Sequence, residues 1–174
     1  MNILGLDPAT LCGFALASDG EIVKSGTWAL PARPDDHCGK RLVSLEDEIL
    51  GLHANHRLDK IAYELASFGS HNPQVQAFHN EIAGVIKRVA YLIGPVPCIG
   101  FPIGTIKVFA CGNGRAKKPQ MVAAAKLQFG IVVRDDNEAD AIFVAKLAEH
   151  EHEATRRRIK RARSEGVVKQ PKLF

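Results

Sequence analysis

Nowhere does the chain contain an apolar run approaching the roughly 20 residues needed to cross a bilayer. Its first residues lack the basic region, apolar block and small-residue cleavage site of a secretory signal. Four cysteines (Cys12, Cys38, Cys98, Cys111) are scattered with no C-x-x-C pair among them. That spacing excludes the common structural zinc sites, and nothing else supports the oxidising compartment a disulfide framework needs. Free thiols are expected. The seven histidines include no H-E-x-x-H, and His150 and His152 are i,i+2 on an expected helix, so they do not face one another. Gly112-Asn113-Gly114 is followed by no P-loop lysine-serine pair, which reads as a flexible turn and not a nucleotide cradle. There is no internal repeat and no low-complexity linker. These absences lead to an expectation of a cytoplasmic protein with no membrane partner and no small-molecule cofactor.

What is present is an ordinary globular composition: 174 residues, 46% hydrophobic and 24% charged. That length suits one domain with a full core. The net charge is +4, and its distribution says more than its size. Acidic residues gather at 35–48 and 135–140, while TRRRIKRAR at 155–163 forms a dense basic block and GNGRAKKPQ at 112–120 a smaller one. Basic blocks of this kind suit a polyanion partner such as nucleic acid. We expect residues 1–154 to form the domain and 155–174 a basic helix end and tail.

Residues 2–18 read as one strand, Asp19-Gly20 as a turn, and 21–30 as the returning strand. Leu42, Leu45, Ile49 and Leu52 have helical spacing. KIAYELASF (60–68) is the next strand, 74–93 a long amphipathic helix ended by Gly94-Pro95, and VPCIGFPI a short buried strand. A short helix over GTIKVFAC leads into the glycine loop, and KPQMVAAAKLQFG forms another helix, with proline near its start and glycine at its end. IVVRDDN is expected as a short strand or turn before a helix of more than 20 residues. Trp28 and Tyr63 read as core aromatics, and His71 and His79 as surface or helix-start residues. The order predicts an α/β fold, a mixed sheet with helices on both faces.

Three acids sit where pattern alone would put apolar residues. Asp7 follows ILGL, Glu64 follows IAY, and Asp140 lies in NEADAIFVA. An unpaired charge in such a place costs several kcal/mol. On three separate core elements the carboxylates can converge, and a hard divalent cation with oxygen ligands is their natural neutraliser. Two such ions about 4 Å apart can activate a water and stabilise the leaving oxygen of a phosphodiester. An acidic metal pocket in a basic chain therefore points to a nuclease. For a fourth ligand, Asp136 lies about 40° from Asp140 around a helix and Asn137 about 60°, while Glu138 points away. Asp135 can cap that helix with Glu138 as its capping-box partner, which leaves Asp136, preferred on charge, and Asn137 in the first turn.

These residues resemble the RuvC-type Holliday junction resolvases. ILGLDPATLCGFAL resembles the family's first strand, IAYELA its second acidic strand, PIGTIKVFACGNGRAKKPQMV its lysine–loop–lysine segment, and DDNEADAIFVA its final acidic helix. The blocks keep the family's order over roughly residues 1–150. The resemblance implies an RNase H-like fold of a five-stranded mixed sheet flanked by helices. It also implies a homodimer that nicks a four-way DNA junction symmetrically with Mg²⁺ or Mn²⁺. Asp7, Glu64 and Asp140 would be metal ligands, and Lys107 with Lys117 or Lys118 would stand near the scissile phosphate. Phe68 would stack at the junction core, one position later than in the family. Arg115, Arg156, Arg157 and Arg158 join Lys117 as expected backbone contacts. The chain departs from the family at Asn137, where a fourth acid is usual.

Three other folds or activities compete with this reading. Actin-like and sugar-kinase folds share an aspartate and glycines after a first strand, but duplicate the domain and run far longer. A non-catalytic binding module of this fold would have no use for a repulsive acidic pocket. A nuclease of the same superfamily acting on other branched or single-stranded nucleic acid shares the metal chemistry, and the lysine block at 107–118 favours the resolvase over it.

Overall fold

Pro8 ends the first apolar run. It has no N–H to give a ladder, and the chain turns back over residues 8–10. The stretch expected as one strand is therefore two, β1 (Asn2–Asp7) and β2 (Leu11–Ser18), paired antiparallel from Asn2 opposite Ser18 to Asp7 opposite Gly13. The computed structural model describes residues 1–30, 37, 39–65 and 73–164. Asp19 and Gly20 both adopt positive φ, as a tight hairpin turn needs, and β3 (Glu21–Ala29) returns beside β2. Beyond helix α1 (Lys40–His56), strand β4 (Lys60–Leu65) lies parallel to β1. Helix α2 (Pro73–Leu92) leads to β5 (Cys98–Pro102), parallel to β4. The sheet order is β3-β2-β1-β4-β5. Three helices complete the chain: α3 (Ile103–Cys111), α4 (Lys118–Phe129) and α5 (Asp136–Ser164). Residues 130–135 form no strand, so the sheet reaches five strands by division of the first expected one.

Helices cover both faces, as expected. Leu4, Leu6, Ile61 and Tyr63 point to one side and pack with Leu45 and Ile49 of α1 and Ile82 and Ile86 of α2. Ile3, Ala15, Ala17 and Ala62 point to the other and pack with Ile106 of α3, Met121 of α4 and the apolar face of α5. Trp28 is half-buried and stacks on Phe14 with ring centroids 4.3 Å apart. Cys12, Cys98 and Cys111 are free thiols, but only Cys12 is fully buried. His79 is half-buried; His71 lies outside the described residues. Among the described residues no helix is long and apolar enough to cross a membrane.

Helix α5 carries one of the three embedded acids, so its seat on the sheet sets the geometry of the whole group. A Cβ on Gly13 would lie 1.9 Å from the Asn137 carbonyl oxygen, and one on Gly5 would lie 2.4 Å from that of Ala141. Only glycine lets the helix approach the sheet this closely. Further along, the Gly20 N–H donates to Glu149 Oε1 (2.9 Å), and Lys60 Nζ donates to the Ala148 carbonyl (3.4 Å). Thus α5 starts at the C-terminal ends of β1 and β4 and runs antiparallel to them towards their N-terminal ends. It continues unbroken past residue 154, and nearly every residue from 150 to 161 is exposed.

Candidate active site

Strand alternation brings two of the three embedded acids to one face. Ile3 and Gly5 look towards α5, so Asp7 follows them. On β4, Ala62 belongs to the same core and Glu64 follows it. Leu6 pairs with Tyr63, which sets Asp7 and Glu64 one step further along, side by side at the C-terminal ends of the parallel strands. Asp140 enters from the second turn of α5, above them.

The three groups feel one another. Burial, then the charges of Asp140 and Asp136, push the Asp7 carboxyl up to about 7, with Lys118 pulling the other way. Glu64 rises to about 8 through burial and the charges of Asp7 and Asp140, opposed by Lys107. Asp140 rises to about 6, mainly through burial, with Lys107 and Lys118 opposing. Such raised proton affinities mark carboxylates crowded together without enough counter-charge. Asp140 Oδ1 is buried with no hydrogen-bond partner among the described residues. An orphaned buried carboxylate oxygen costs free energy that a cation would recover. No group of three or more His, Cys, Asp or Glu side chains stands arranged to hold a metal ion among the described residues. The donor set itself fits a hard cation: several carboxylates, one with a vacant oxygen, flanked by two lysines. Among the described residues neither histidine nor thiolate belongs to it.

The start of α5 is fixed from β3. Asp135 caps the helix by accepting the Glu138 N–H at Oδ1 (2.8 Å), as expected. Thr27 Oγ1 donates to its other oxygen (2.8 Å). Glu138, turned away from the acids and nearly buried, accepts from Ser25 Oγ (2.7 Å) and from the Arg134 N–H (2.8 Å). The reciprocal bond of a capping box thus goes to residue 134. Ser25 and Thr27 escaped the sequence reading because their partners lie more than 100 residues away.

The lysines divide the work of neutralisation. Lys118 Nζ lies 2.5 Å from Asp136 Oδ2. Lys107, half-buried on α3, acts on Glu64 and Asp140. Arg115 and Lys117 are exposed on the segment leading into α4, where the Asn113 side chain accepts the Arg115 N–H (3.0 Å). Asn137 is half-buried beside Asp136. A groove of about 360 Å³ opens beside the β1–β2 turn, bordered by Thr10, Arg41 and Phe78, with the Arg41 guanidinium 5.1 Å from the Phe78 ring centre. Nothing in the spacing of residues 41 and 78 signals that pairing. Phe68 lies outside the described residues. Arg156, Arg157 and Arg158 are not brought to this site; they stand on α5 at the far end of the sheet.

No protein-family model matches the chain. It is 30% identical over 154 residues to the crossover junction endodeoxyribonuclease RuvC of Salinispora arenicola, covering 83% of this chain and 85% of that protein. The chain belongs to the RuvC family. RuvC of Anaeromyxobacter dehalogenans (strain 2CP-C) is 29% identical over 150 residues, 83% of this chain and 78% of that protein. Among solved structures, Thermus thermophilus RuvC aligns with a TM-score of 0.70 and 20% identity, covering 83% of this chain and 91% of that one. The same protein in complex with a Holliday junction substrate aligns with a TM-score of 0.72 and 20% identity, over 83% and 90%. The fold is therefore that of RuvC, RNase H-like, as the resemblance implied.

Proposed function

We propose that this RuvC-family chain is a divalent-metal-dependent endonuclease that nicks four-way DNA junctions symmetrically as a homodimer. Membership of a family named for crossover junction cleavage, and likeness to a junction-bound RuvC, support branched DNA as the substrate. The observation that carries the assignment of the active centre is the crowding of Asp7, Glu64 and Asp140, with Asp140 Oδ1 buried and unpartnered. These three would hold Mg²⁺, with Mn²⁺ as a substitute, and Asp136 or Asn137 would be the fourth ligand. When bound, a pair of such ions supplies an activated water and a counter-charge for the leaving oxygen.

The protein's own groups supply the rest. Lys107 and Lys118 are the cations whose charge already reaches the three acids, so a phosphate lodged there meets both. Lys118 pairs with Asp136 in the free protein; on turning to phosphate it would release Asp136 to ligate. Asn137 can offer a side-chain carbonyl oxygen without charge. Arg115 and Lys117 extend the positive surface along the DNA backbone. Residues 1–154 would be the nuclease domain. The exposed Val75, Tyr91 and Leu92 of α2 offer apolar surface for a second copy.

The test is cleavage of synthetic four-way, three-way, flap and linear DNAs with Mg²⁺ or Mn²⁺. We expect paired symmetric nicks in the four-way junction and little elsewhere. Preference for single strands or RNA would replace the resolvase reading with that of another nuclease of this fold.

A further inference from the structure

The basic block at 155–163 lies where the active centre cannot use it. From Asp140 to Arg157 α5 rises roughly 26 Å at about 1.5 Å per residue. Over that length it passes the Asp19-Gly20 turn and the start of β4, at the pole of the sheet opposite the carboxylates. Its buried face ends at Glu149, whose carboxylate also holds Lys146 at 2.5 Å. Beyond this anchor the helix continues to Ser164.

The composition of the projecting part selects its partner. Arg156, Arg157, Arg158, Lys160 and Arg161 are all exposed. At about 100° per residue they spread over roughly 200° of the circumference. Ile159, 45% exposed, is the only large apolar side chain between residues 151 and 161. A helix that docks in a protein groove needs an apolar stripe at i, i+3, i+4 and i+7, and this one has none. A broad cationic arc on a rod about 10–12 Å across instead matches the phosphate walls of a duplex groove about 12 Å wide. Cations near a helix C-terminus are also favoured by its dipole, which keeps the rod helical as it leaves the domain.

We propose that the exposed basic end of α5 is a second duplex-DNA site, which engages a DNA segment other than the one at the carboxylates. Duplex DNA, with a persistence length of roughly 150 base pairs, does not readily curl around so small a domain to touch both poles. The protein would thus hold two DNA segments at once. Cleavage plays no part in this second contact, which depends only on where the block lies and on its charge.

The test uses full-length Asp7→Asn protein, immobilised on an uncleaved four-way junction at saturation, and measures capture of a labelled linear duplex. The arm-intact protein should capture the duplex, with affinity falling steeply as salt rises. Changing Arg156, Arg157, Arg158, Lys160 and Arg161 together to Gln should reduce capture at least tenfold. The corresponding lysine substitutions at the four arginines should restore it, because phosphate contacts of this type need charge more than shape. These residues are exposed, and an unchanged Tm in the Gln variant shows the loss to be one of binding. Three outcomes would overturn the proposal: no capture by the arm-intact complex, equal capture by the Gln variant, or capture of an acidic polypeptide in place of the duplex.

Discussion

The two ends of α5 are opposites built on one helix. At its start, Asp136 and Asp140 face inward among other acids, and their surroundings are fixed by Ser25, Thr27 and the close approach at Gly13. At its finish, five basic side chains are exposed, Arg157 among them paired with Glu153 one turn back on the same helix. Both ends suit the helix dipole, acids near the N-terminus and bases near the C-terminus. Burial separates them. At the buried end charge is crowded and short of partners, so each group matters to its neighbours; at the exposed end solvent screens each charge, and their effect is collective.

Removing a single charge at the buried end should therefore have the largest consequence. Asp140→Asn should lower junction cleavage on the order of 10³-fold, the scale of several kcal/mol of transition-state stabilisation, while binding of the junction persists. Cleavage within tenfold of wild type would remove Asp140 from the centre and erase the contrast between the ends. Next in size is Gly13→Ala. Its methyl must displace the Asn137 carbonyl, so thermal unfolding should shift by about 1–3 kcal/mol, with cleavage impaired because the carboxylates ride on that helix. An unchanged Tm would show that the approach is soft.

A third effect is pH-dependent. Asp7, Glu64 and Asp140 have folded values of about 7, 8 and 6, all above their ordinary range near 4. The folded state therefore binds more protons than the unfolded chain between about pH 4 and 8. With metal chelated, their contribution to stability should fall as pH rises through that window, and a divalent cation should restore it at the upper end. A metal-free stability that rises from pH 5 to 8 in proportion to these groups would contradict the crowding. The smallest effect belongs to the exposed end. Arg156→Gln or Arg158→Gln alone should move stability by no more than about 0.5 kcal/mol in thermal unfolding; a larger drop would mean that the arm packs on something.

Much of the buried end was legible in the sequence because it obeys short-range rules. Asp7 and Glu64 stand out against apolar strands, and the Asp135 cap follows from the spacing to Glu138. Helix α2 and the Asp19-Gly20 turn were equally plain. What escaped depends on distant residues meeting. The apolar pattern runs through Pro8 on both sides, so one strand was read where the chain makes two. Of the strand or turn expected over IVVRDDN only the turn forms, because Arg134 and Asp135 are held at the start of α5 by Glu138 and Thr27. Thr27 and Ser25 reveal nothing of their roles until β3 lies beside α5. The basic block is plain in the composition, yet its distance from the carboxylates needs the direction of α5, which periodicity cannot give.

The chemistry at the buried end turns on whether Asp7, Glu64 and Asp140 form one cation site. Calorimetric titration of the DNA-free protein with Mn²⁺, against the Asp7→Asn/Glu64→Gln/Asp140→Asn variant, decides that. We predict saturable binding in the wild-type protein, strengthening from pH 6 to 8 as protons leave the site, and none in the variant. Equal binding by the two proteins would mean that the three acids do not share a cation.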